Sequence, residues 1–591
     1  MIYTALYIPR YIRQGIRPNH KGARMDKIIY GADTETVNGE PNTLQFYSED
    51  NNCSDIYFVN KSTALKTFLK WCEKRRRGSL HVVYIHNLKF DLIELLYGSH
   101  HKLIENGGNF EFAVNDWSVT GVYGTPTFAV LSKGHNLTIQ LIDSFSFYRG
   151  SLASAADLFC PDLPKLKRPR DLGQHRITAK DTAHVEYAMR DAVISYHIGK
   201  SIEAIHNEFD IRQTVSVADL SATIFRHAFL DYTIPQPSQD IVSDALDSYH
   251  GGKNNLTVGP GWYREVTSID LKSAYPGAMH KLPAFSDSRL YKRYKPTKSR
   301  IGNVPDYGVY SVSGNIRVCA WPVLFAHDFV PLQGDIQSVC VHGLELNEAL
   351  RSGEFKPTRI EGSYYDAEKD NQVPAMRNFV EHFYKLKESE PDKVKRYMYK
   401  VILNSLYGKF IQTRKRSLKC YVDIDSGKMT EASELVAGGM FHPFIASAIT
   451  ADCRARIHKL EHDNKALHTA TDGIFTQLKK PKGVKAHPRI GEAAVDAKGD
   501  LLLVRNKLYI LYGPNGTFDS RSFEGKKIIK YALHGFQGTV WDLERLVSTG
   551  RRKYKANHVN QLRESIKRGL QPNLFVERDY NLKVGPLKVK G

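Results

Sequence analysis

Apolar and polar positions follow two different rhythms along this chain. Between residues 27 and 200, short apolar runs alternate with longer stretches whose apolar residues recur near i, i+3 and i+4. "KIIYGADTET" (27–36) and "SLHVVYIHN" (79–87) read as buried strands. "ALKTFLKWCEKRRR" (64–77) and "HVEYAMRDAVISYHIGKSIEAIHNEF" (184–209) read as helices. The alternation predicts a mixed α/β first domain. The turn-rich "DSYHGGKNNLTVGPGWY" (247–263) marks a boundary. A strand, "EVTSIDL" (265–271), opens the second half. Residues 280–375 read as irregular, rich in Pro, Tyr and Gly. A helical pair is expected over about 376–408, and then a short strand-rich insertion, "KCYVDIDSGKMTEA" (419–432). "HTATDGIF" (468–475) carries the Asp-Gly signal of a hairpin turn.

The 591 residues suffice for three or more domains. A net charge of +20 raises the local anion concentration, so nucleic acid is the first partner to expect. No apolar run is long enough to span a bilayer, so no membrane partner is expected. Cysteines at 53, 72, 160, 319, 340, 420 and 453 form no C-x-x-C pair, which fits a reducing compartment. Arg10, Arg13, Arg17, Lys21 and Arg24 precede the first acid, Asp26. Pro9 and Pro18 interrupt any amphipathic helix there, and serine is absent. A basic arm, or an extension upstream of a start at Met25, fits better than a transit peptide.

Asp33 and Glu35 in "GADTET" share a face if the segment is a strand. Two adjacent acids repel unless something positive lies between them, although a solvated strand end would also accommodate them. Further acids stand in restricted contexts. "HNLKFD" places Asp91 just after Asn87 and Phe90, and "YAMRD" places Tyr187 one helical turn before Asp191. Four carboxylates can hold two divalent cations about 3.5–4 Å apart, which suits phosphodiester hydrolysis. The tyrosine would orient the attacking water, and Asn87 and Phe90 suit a single-stranded end. Asp270, at the end of "SID", could partner the distant Asp472 around a triphosphate. In "KVKRYMYKVILNSLYGKF" (393–410), Lys393, Arg396, Lys400, Asn404 and Tyr407 form one helical stripe that Gly408 can end. A solvated basic face is the plain alternative. A lysine and an arginine there could instead neutralise a triphosphate, with Tyr407 against the incoming base pair.

The order D-x-E, N-x-x-F-D, Y-x3-D resembles the proofreading 3′–5′ exonuclease domain of family B DNA polymerases. Ser151-Leu152 in "GSLASA" resembles a further single-strand-binding motif, and Lys165 or Lys167 is the candidate for its assisting lysine. D-x2-S-x-Y-P, K-x3-N-S-x-Y-G and T-D-G resemble the three polymerase motifs, most closely those of the protein-primed branch. "YHGG" (Tyr249, Gly251, Gly252) resembles its linker motif. "KLY" (Lys507, Tyr509) resembles its K-x-Y motif, and Thr450 and Arg454 fit its T-A-x-x-R pattern.

The resemblance implies an α/β multidomain fold, with a ribonuclease-H-like exonuclease domain followed by a right-hand polymerase. The expected divisions are a basic arm (1–26), exonuclease (27–205), linker and first palm segment (206–281), and a first terminal-protein-region insertion (282–375). Fingers (376–411), a second such insertion (412–440), palm (441–527) and thumb (528–591) follow. Asp33, Glu35 and Asp191 are the implied exonuclease metal ligands, with Asp91, Tyr187 and Lys165 beside them. Asp270, Asp472 and the Leu271 carbonyl are the implied polymerase ligands. Arg396, Lys400, Asn404, Tyr275 and Tyr407 would serve the dNTP, with Tyr275 excluding a 2′-OH. Asn87, Phe90, Ser151, Leu152, Tyr249, Gly251, Gly252, Thr450, Arg454, Lys507, Tyr509 and Lys530 would contact DNA. Two Mg²⁺ per site are implied, with Mn²⁺ as an alternative. The implied partners are template and primer DNA, dNTPs and a terminal protein, and the implied state is a monomer in the cytoplasm of a phage or plasmid host, with a mitochondrion as the alternative; a family B polymerase using nucleic-acid primers, or an exonuclease or DNA-binding protein with a weakened polymerase site, are the rival readings. The family usually reads D-T-D-S where this chain reads Ala470-Thr471-Asp472-Gly473. One carboxylate near the metals is thus missing, and a changed rate or metal preference is expected.

Overall fold

The computed structural model of the chain describes residues 16–18, 26–104, 108–294, 303–317, 322–325, 328–331, 334–417, 421–422, 429–430, 433–513, 527–549, 551, 553–568, 570–582 and 588–590. Arg10, Arg13, Lys21 and Arg24 of the basic arm lie outside the described residues. Ile16 of that arm bridges Ile234, and Arg226 Nε donates to Arg17 O at 2.8 Å.

The first domain is built on an eight-stranded sheet. Its strands are β1 (Lys27–Val37), β2 (Glu40–Ser48), β3 (Cys53–Phe58), β4 (Leu80–Ile85), β5 (Asn109–Val114), β6 (Trp117–Val122), β7 (Phe128–Lys133) and β8 (Leu137–Asp143). They lie in the order β3-β2-β1-β4-β8-β7-β6-β5. β1, β4 and β8 are parallel neighbours, and the outer pairs are antiparallel. β4 is buried at every position, as a central parallel strand covered on both faces must be. Helix α1 (Leu88–Leu95) follows β4, and the long helix α2 (Thr182–Glu208) crosses β1. Gly31 makes that crossing close: a Cβ there would collide with the backbone of Ala192 and Tyr196. The near approach carries Asp191 toward Asp33. α2 runs to Glu208, three residues past the boundary expected at 205, because its apolar stripe continues through Ile202 and Ile205 into the core.

The second sheet contains β9 (Lys253–Leu256), β10 (Gly261–Leu271), β11 (His468–Thr471), β12 (Gly473–Thr476), β13 (Ala493–Arg505), β14 (Leu508–Tyr512) and β15 (Ile528–Leu533). The order is β15-β14-β13-β10-β12-β11-β9, with Lys588–Lys590 pairing in parallel on β10. β15 therefore completes the palm-like sheet, whereas the sequence division placed residues 528–533 in the thumb. Its partly exposed alternation is that of an edge strand.

Residues 280–375 are not irregular. Tyr291–Tyr294, Phe355–Tyr365, Gly308–Ile316 and Gly334–His342 form a four-stranded antiparallel sheet, in that order, packed against a helix at Gly343–Ser352. Proline and tyrosine hid the alternation, since the sheet has its own small core around Tyr310, Val312 and Leu346. The expected helical pair is Ala375–Ser389 and α3 (Lys393–Ser405). α3 ends before Gly408, and a single tighter turn, Tyr407–Ile411, takes over. Only parts of the second insertion are described. They include antiparallel Thr413–Ser417 and Ser433–Ala437.

Helix α4 (Pro443–Asp463) ties these modules together. Arg454 is 1% exposed and forms a bidentate pair with Glu345 (Nε–Oε1 2.8 Å, Nη2–Oε2 2.6 Å). Its Nη1 also donates to the carbonyls of His250 and Gly251. Arg454 is thus an internal cross-link between α4, the YHGG segment and the four-stranded module, which corrects its assignment to DNA. Thr450 is corrected likewise: it is 1% exposed, and its hydroxyl donates to Ala446 O at 3.2 Å. Among the described residues no helix is long and apolar enough to cross a membrane.

Two candidate active sites

The first site lies where β1 meets α2. Asp33 and Glu35 share a face of β1, and their oxygens lie within 4.8 Å of one another and of Asp191. Asp91 stands apart from that trio. Its Oδ1 accepts from Thr34 N (3.0 Å) and Thr34 Oγ1 (2.8 Å), which holds it behind the strand. Burial pushes Asp33 well above the usual carboxylate range, and repulsion from Asp91, Asp191 and Glu35 adds to it. Burial likewise carries Glu35 up to about 8 and Asp91 up to about 7. Acids so placed call for a cation.

Lys165 supplies one positive charge. Its Nζ contacts Asp191 Oδ2 and lies 4.6 Å from the Tyr187 ring centroid. Lys167 is exposed, so the structure separates the two lysines that the sequence left open. Asn87 begins α1 in a left-handed conformation (φ 67°). Asp143 sets it there, accepting from the backbone N–H of Asn87 (3.0 Å), Leu88 (3.3 Å) and Phe145 (3.0 Å). Asn87, Phe90, Leu152, Tyr187 and the acids line one cleft of about 720 Å³. Ser151 is exposed and caps the helix Leu152–Phe159, accepting from Ser154 N at 3.1 Å. Asn573 and Leu574, from the far C-terminal region, close the cleft's other side. Asn573 Nδ2 donates to Phe90 O (3.1 Å) and Glu94 Oε1 (2.6 Å). Neither Asp143 nor Asn573 stands out in the sequence, because a strand-end Asp and a loop Asn are common turn residues.

The second site lies at the ends of β10 and the β11–β12 hairpin. Ala470 pairs with Gly473, so Thr471-Asp472, not Asp-Gly, forms the two-residue turn, and Thr471 takes φ +58°. Leu271 N donates to Asp472 O at 2.8 Å, which fixes the turn beside the end of β10. Asp270 is in register with Gly473, Gly473 with Ala470, and Ala470 with Asn254. Directly opposed residues face the same way. Ala470 therefore stands on Asp270's face, one strand beyond Gly473, and the missing carboxylate is missing from this site. Asp472 belongs to the turn rather than to a strand face shared with Ala470. The carboxylate of Asp270 leans over Gly473, where a Cβ would meet Oδ1.

Burial raises both acids, and for Asp472 the charge of Asp270 adds to it. Lys530 donates to Asp270 Oδ2 (2.7 Å), Asp496 Oδ2 (2.8 Å) and Ser268 Oγ (3.2 Å). Its ammonium is engaged by the site's acids, so the structure places it in the carboxylate centre rather than on a free DNA-facing surface. Asp496 is a third acid that sequence reading missed: it sits opposite a register shift in β10, where strict alternation breaks down. Tyr509 is buried against Phe475, with ring centroids 4.8 Å apart. Lys507 occupies the β13–β14 turn at φ +55°. Tyr275 stacks on Tyr407 (4.0 Å, 16°). On α3, Lys393, Arg396 and Lys400 are exposed, and Asn404 is half-buried, as the stripe predicts. Arg396 turns back, donating to Glu390 O (2.8 Å) and Pro391 O (3.1 Å). Asn404 donates to Lys400 O at 2.7 Å. Tyr249 packs at the edge of the large core, and Gly252 abuts Thr471 of the hairpin.

Residues 177–440 match the family described as DNA polymerase type B, organellar and viral. A little under half of the chain therefore resembles that family of polymerases. A DNA polymerase of Kluyveromyces lactis is 27% identical over 228 residues, 36% of this chain and 22% of the relative. A probable DNA polymerase of Ascobolus immersus is 27% identical over 225 residues, 35% of this chain and 17% of the relative. The chain thus spans only about a fifth of the length of these two relatives. A DNA-directed DNA polymerase of Enterobacteria phage PRD1 is 21% identical over 471 residues, 76% of each chain. In fold, Phi29 DNA polymerase solved with primer–template DNA superposes with a TM-score of 0.67 at 15% identity. The match covers 94% of this chain and all of that one. The expected multidomain α/β fold is therefore the observed one.

Proposed function

We propose that the chain is a DNA-directed DNA polymerase with a 3′–5′ exonuclease, able to start on a protein hydroxyl and to displace the strand ahead of it. One observation carries the reading: two separate sets of desolvated carboxylates, Asp33/Glu35/Asp191 and Asp270/Asp472, gathered at two different sheets, each set with a lysine at its edge. Desolvated acids that repel one another fit divalent cations. Asp33, Glu35 and Asp191 would hold them in the exonuclease, and Asp270, Asp472 and the Leu271 carbonyl in the polymerase. Two Mg²⁺ (or Mn²⁺) per site would supply the charge that acidifies the attacking hydroxyl or water and steadies the leaving oxygen.

The chain's own residues do the rest. Lys400, exposed on α3, meets the dNTP phosphates. Arg396 assists once released from the carbonyls of Glu390 and Pro391, and Asn404 orients the helix face. The Tyr275–Tyr407 stack forms a floor under the incoming nucleotide and leaves no room for a 2′-OH. Tyr249, Gly251, Gly252, Lys507 and Tyr509 line the path of template and primer. In the exonuclease, Asn87, Phe90, Ser151 and Leu152 hold a frayed 3′ end, Tyr187 orients the water and Lys165 balances Asp191. The Phi29 polymerase fold has been solved with primer–template DNA and nucleotides, which supports DNA and dNTPs as partners here. The four-stranded module and the 413–437 hairpin occupy the two segments expected to meet a terminal protein.

The test is extension of a primer on a single-stranded circle with Mg²⁺ and dNTPs. Wild type should make products longer than the circle, and Asp472→Ala should make none while still degrading the primer. Wild-type degradation without synthesis would reduce the chain to an exonuclease. Deleting residues 412–440 should abolish protein-primed starts and circle-exceeding products but spare short extension from an annealed oligonucleotide.

A further inference from the structure

From Pro161 to Asp181 the chain forms no helix or strand, only an isolated bridge between Leu172 and His175. Uncovered segments of this length in a compact domain are uncommon and generally serve a site. This one carries Lys165 to Asp191 and walls the exonuclease cleft with Arg168, Leu172, Gly173 and Gln174. Leu163 anchors its start on the large core, and beyond that its hydrophobic hold is a small cluster of Leu172, Ile177 and Tyr187 with Leu166 and Val185.

At the far end of the segment, three metal-ligating side chains converge outside the sites described above. Ligand atoms of Asp171, His175 and His184 all lie within 4.8 Å of one another. Asp171 presents one oxygen to each imidazole, Oδ1 to His184 Nε2 at 3.0 Å and Oδ2 to His175 Nδ1 at 3.6 Å. Asp181 Oδ1 lies 3.9 Å from His175 Nε2, while its Oδ2 is engaged by Thr178 N (2.7 Å) and Oγ1 (2.8 Å). A tetrahedral Zn²⁺ with bonds near 2.05 Å needs ligand atoms about 3.3 Å apart. The two Asp171–imidazole separations, 3.0 and 3.6 Å, bracket that edge, and the trio closes on an ion by rotation of the exposed His175 and Asp171 side chains. Two imidazoles and a carboxylate favour Zn²⁺ over Mg²⁺, which prefers oxygen alone. The His184 side chain is 11% exposed and fixed by α2, whereas those of His175 (44%) and Asp171 (51%) are open to an entering ion.

We propose that Asp171, His175 and His184, with a water as the fourth ligand, bind one Zn²⁺ that staples the 161–181 segment to the start of α2. His184, Tyr187 and Asp191 fall at i, i+3 and i+7, one face of that helix. The staple therefore anchors the segment on the face that also holds Tyr187 and Asp191, and keeps Lys165 over them. The effect on proofreading rests on the function proposed above, whereas the binding of the ion does not.

The experiment uses the full-length protein, stripped with chelator and titrated with Co²⁺ as a visible-absorbing probe, followed by Zn²⁺. Wild type and Asp33→Ala should each take up one equivalent of Co²⁺ with the strong visible bands of a four-coordinate site, displaced by one equivalent of Zn²⁺. His175→Ala and Asp171→Asn, both at exposed positions, should lose at least tenfold in affinity. Zn²⁺ should slow tryptic cleavage after Lys165, Lys167, Arg170, Arg176 and Lys180 at least tenfold in wild type and not in His175→Ala. A spectrum that disappears in Asp33→Ala and persists in His175→Ala would assign the ion to the exonuclease acids and overturn the proposal. So would the absence of four-coordinate Co²⁺ in wild type. A chain that binds Co²⁺ as expected but shows no nuclease would refute the functional reading alone.

Discussion

Lys530 occupies the position in which a metal would be expected to balance Asp270, so replacing it with methionine should change how tightly the polymerase site takes a divalent ion. Its Nζ lies 2.7 Å from Asp270 and 2.8 Å from Asp496. Burial by itself lowers this lysine's pKa, but the two acids outweigh burial and push it up to about 12 from 10.5. A shift of that size is worth about 2 kcal/mol. The raised folded-state value means the stabilisation is fully present below about 10.5 and lost as pH rises through about 12, so it is constant between pH 6 and 9. An ion that binds Asp270 must displace this interaction. Removing the ammonium should therefore tighten divalent binding by up to about 30-fold, the equivalent of about 2 kcal/mol. The assay is Mn²⁺ binding followed by electron paramagnetic resonance, without DNA, in an Asp33→Ala background that weakens the exonuclease set. The free protein should also melt earlier than its parent, and Mn²⁺ should close much of the gap. Unchanged or weaker Mn²⁺ binding in Lys530→Met would refute the idea that the lysine stands in the metal's place.

Three further outcomes are expected. Lys165→Ala should lower exonuclease turnover on the order of 10²-fold and leave primer extension intact, whereas Lys167→Ala should change neither; comparison of the two on a labelled single strand decides it. Glu345→Gln leaves the buried Arg454 guanidinium unbalanced and should cost about 3 kcal/mol, read as a lower urea midpoint with synthesis and degradation failing together. Glu35 and Asp91, raised to about 8 and about 7, stabilise the metal-free fold fully only below their unfolded values near 4; that contribution is lost as pH rises toward 8. The melting temperature in chelator should therefore fall between pH 5 and 8, and Mg²⁺ should flatten the slope.

The Asp33/Glu35/Asp191 cluster was legible because it rests on short local patterns, whereas Asp91 stands apart from it and the pairing of Asp270 with Asp472, 202 residues on, came from the resemblance of the motifs alone. D-x-E on a strand and Y-x3-D on a helix already specify faces, and the structure needed only Gly31 to bring the two elements together. Arg454 shows where such reading fails. A charged residue in a helix reads as surface, and only the distant Glu345 and the YHGG carbonyls make its burial tolerable. Asp496 and Asn573 were invisible for a related reason: each acquires its role from a partner more than 200 residues away, Asp270 in one case and Phe90 in the other. The Asp-Gly pattern predicts the hairpin at 468–476, but its turn lies one residue earlier, because pairing of Ala470 with Gly473 and of Gly473 with Asp270 sets the register over the local Asp-Gly preference.

The bond from Leu271 N–H to the Asp472 carbonyl joins the two acids of the second site through main chain alone. The spacing of the charges is then a property of strand alignment, indifferent to which side chains fill the layer beneath. Volume-conserving exchanges of the apolar residues under β10 and β12 leave that spacing intact, whereas a one-residue slip of the ladder would move the acids apart. The fold shared with the Phi29 polymerase at 15% identity is one in which most side chains differ while the strand arrangement is kept.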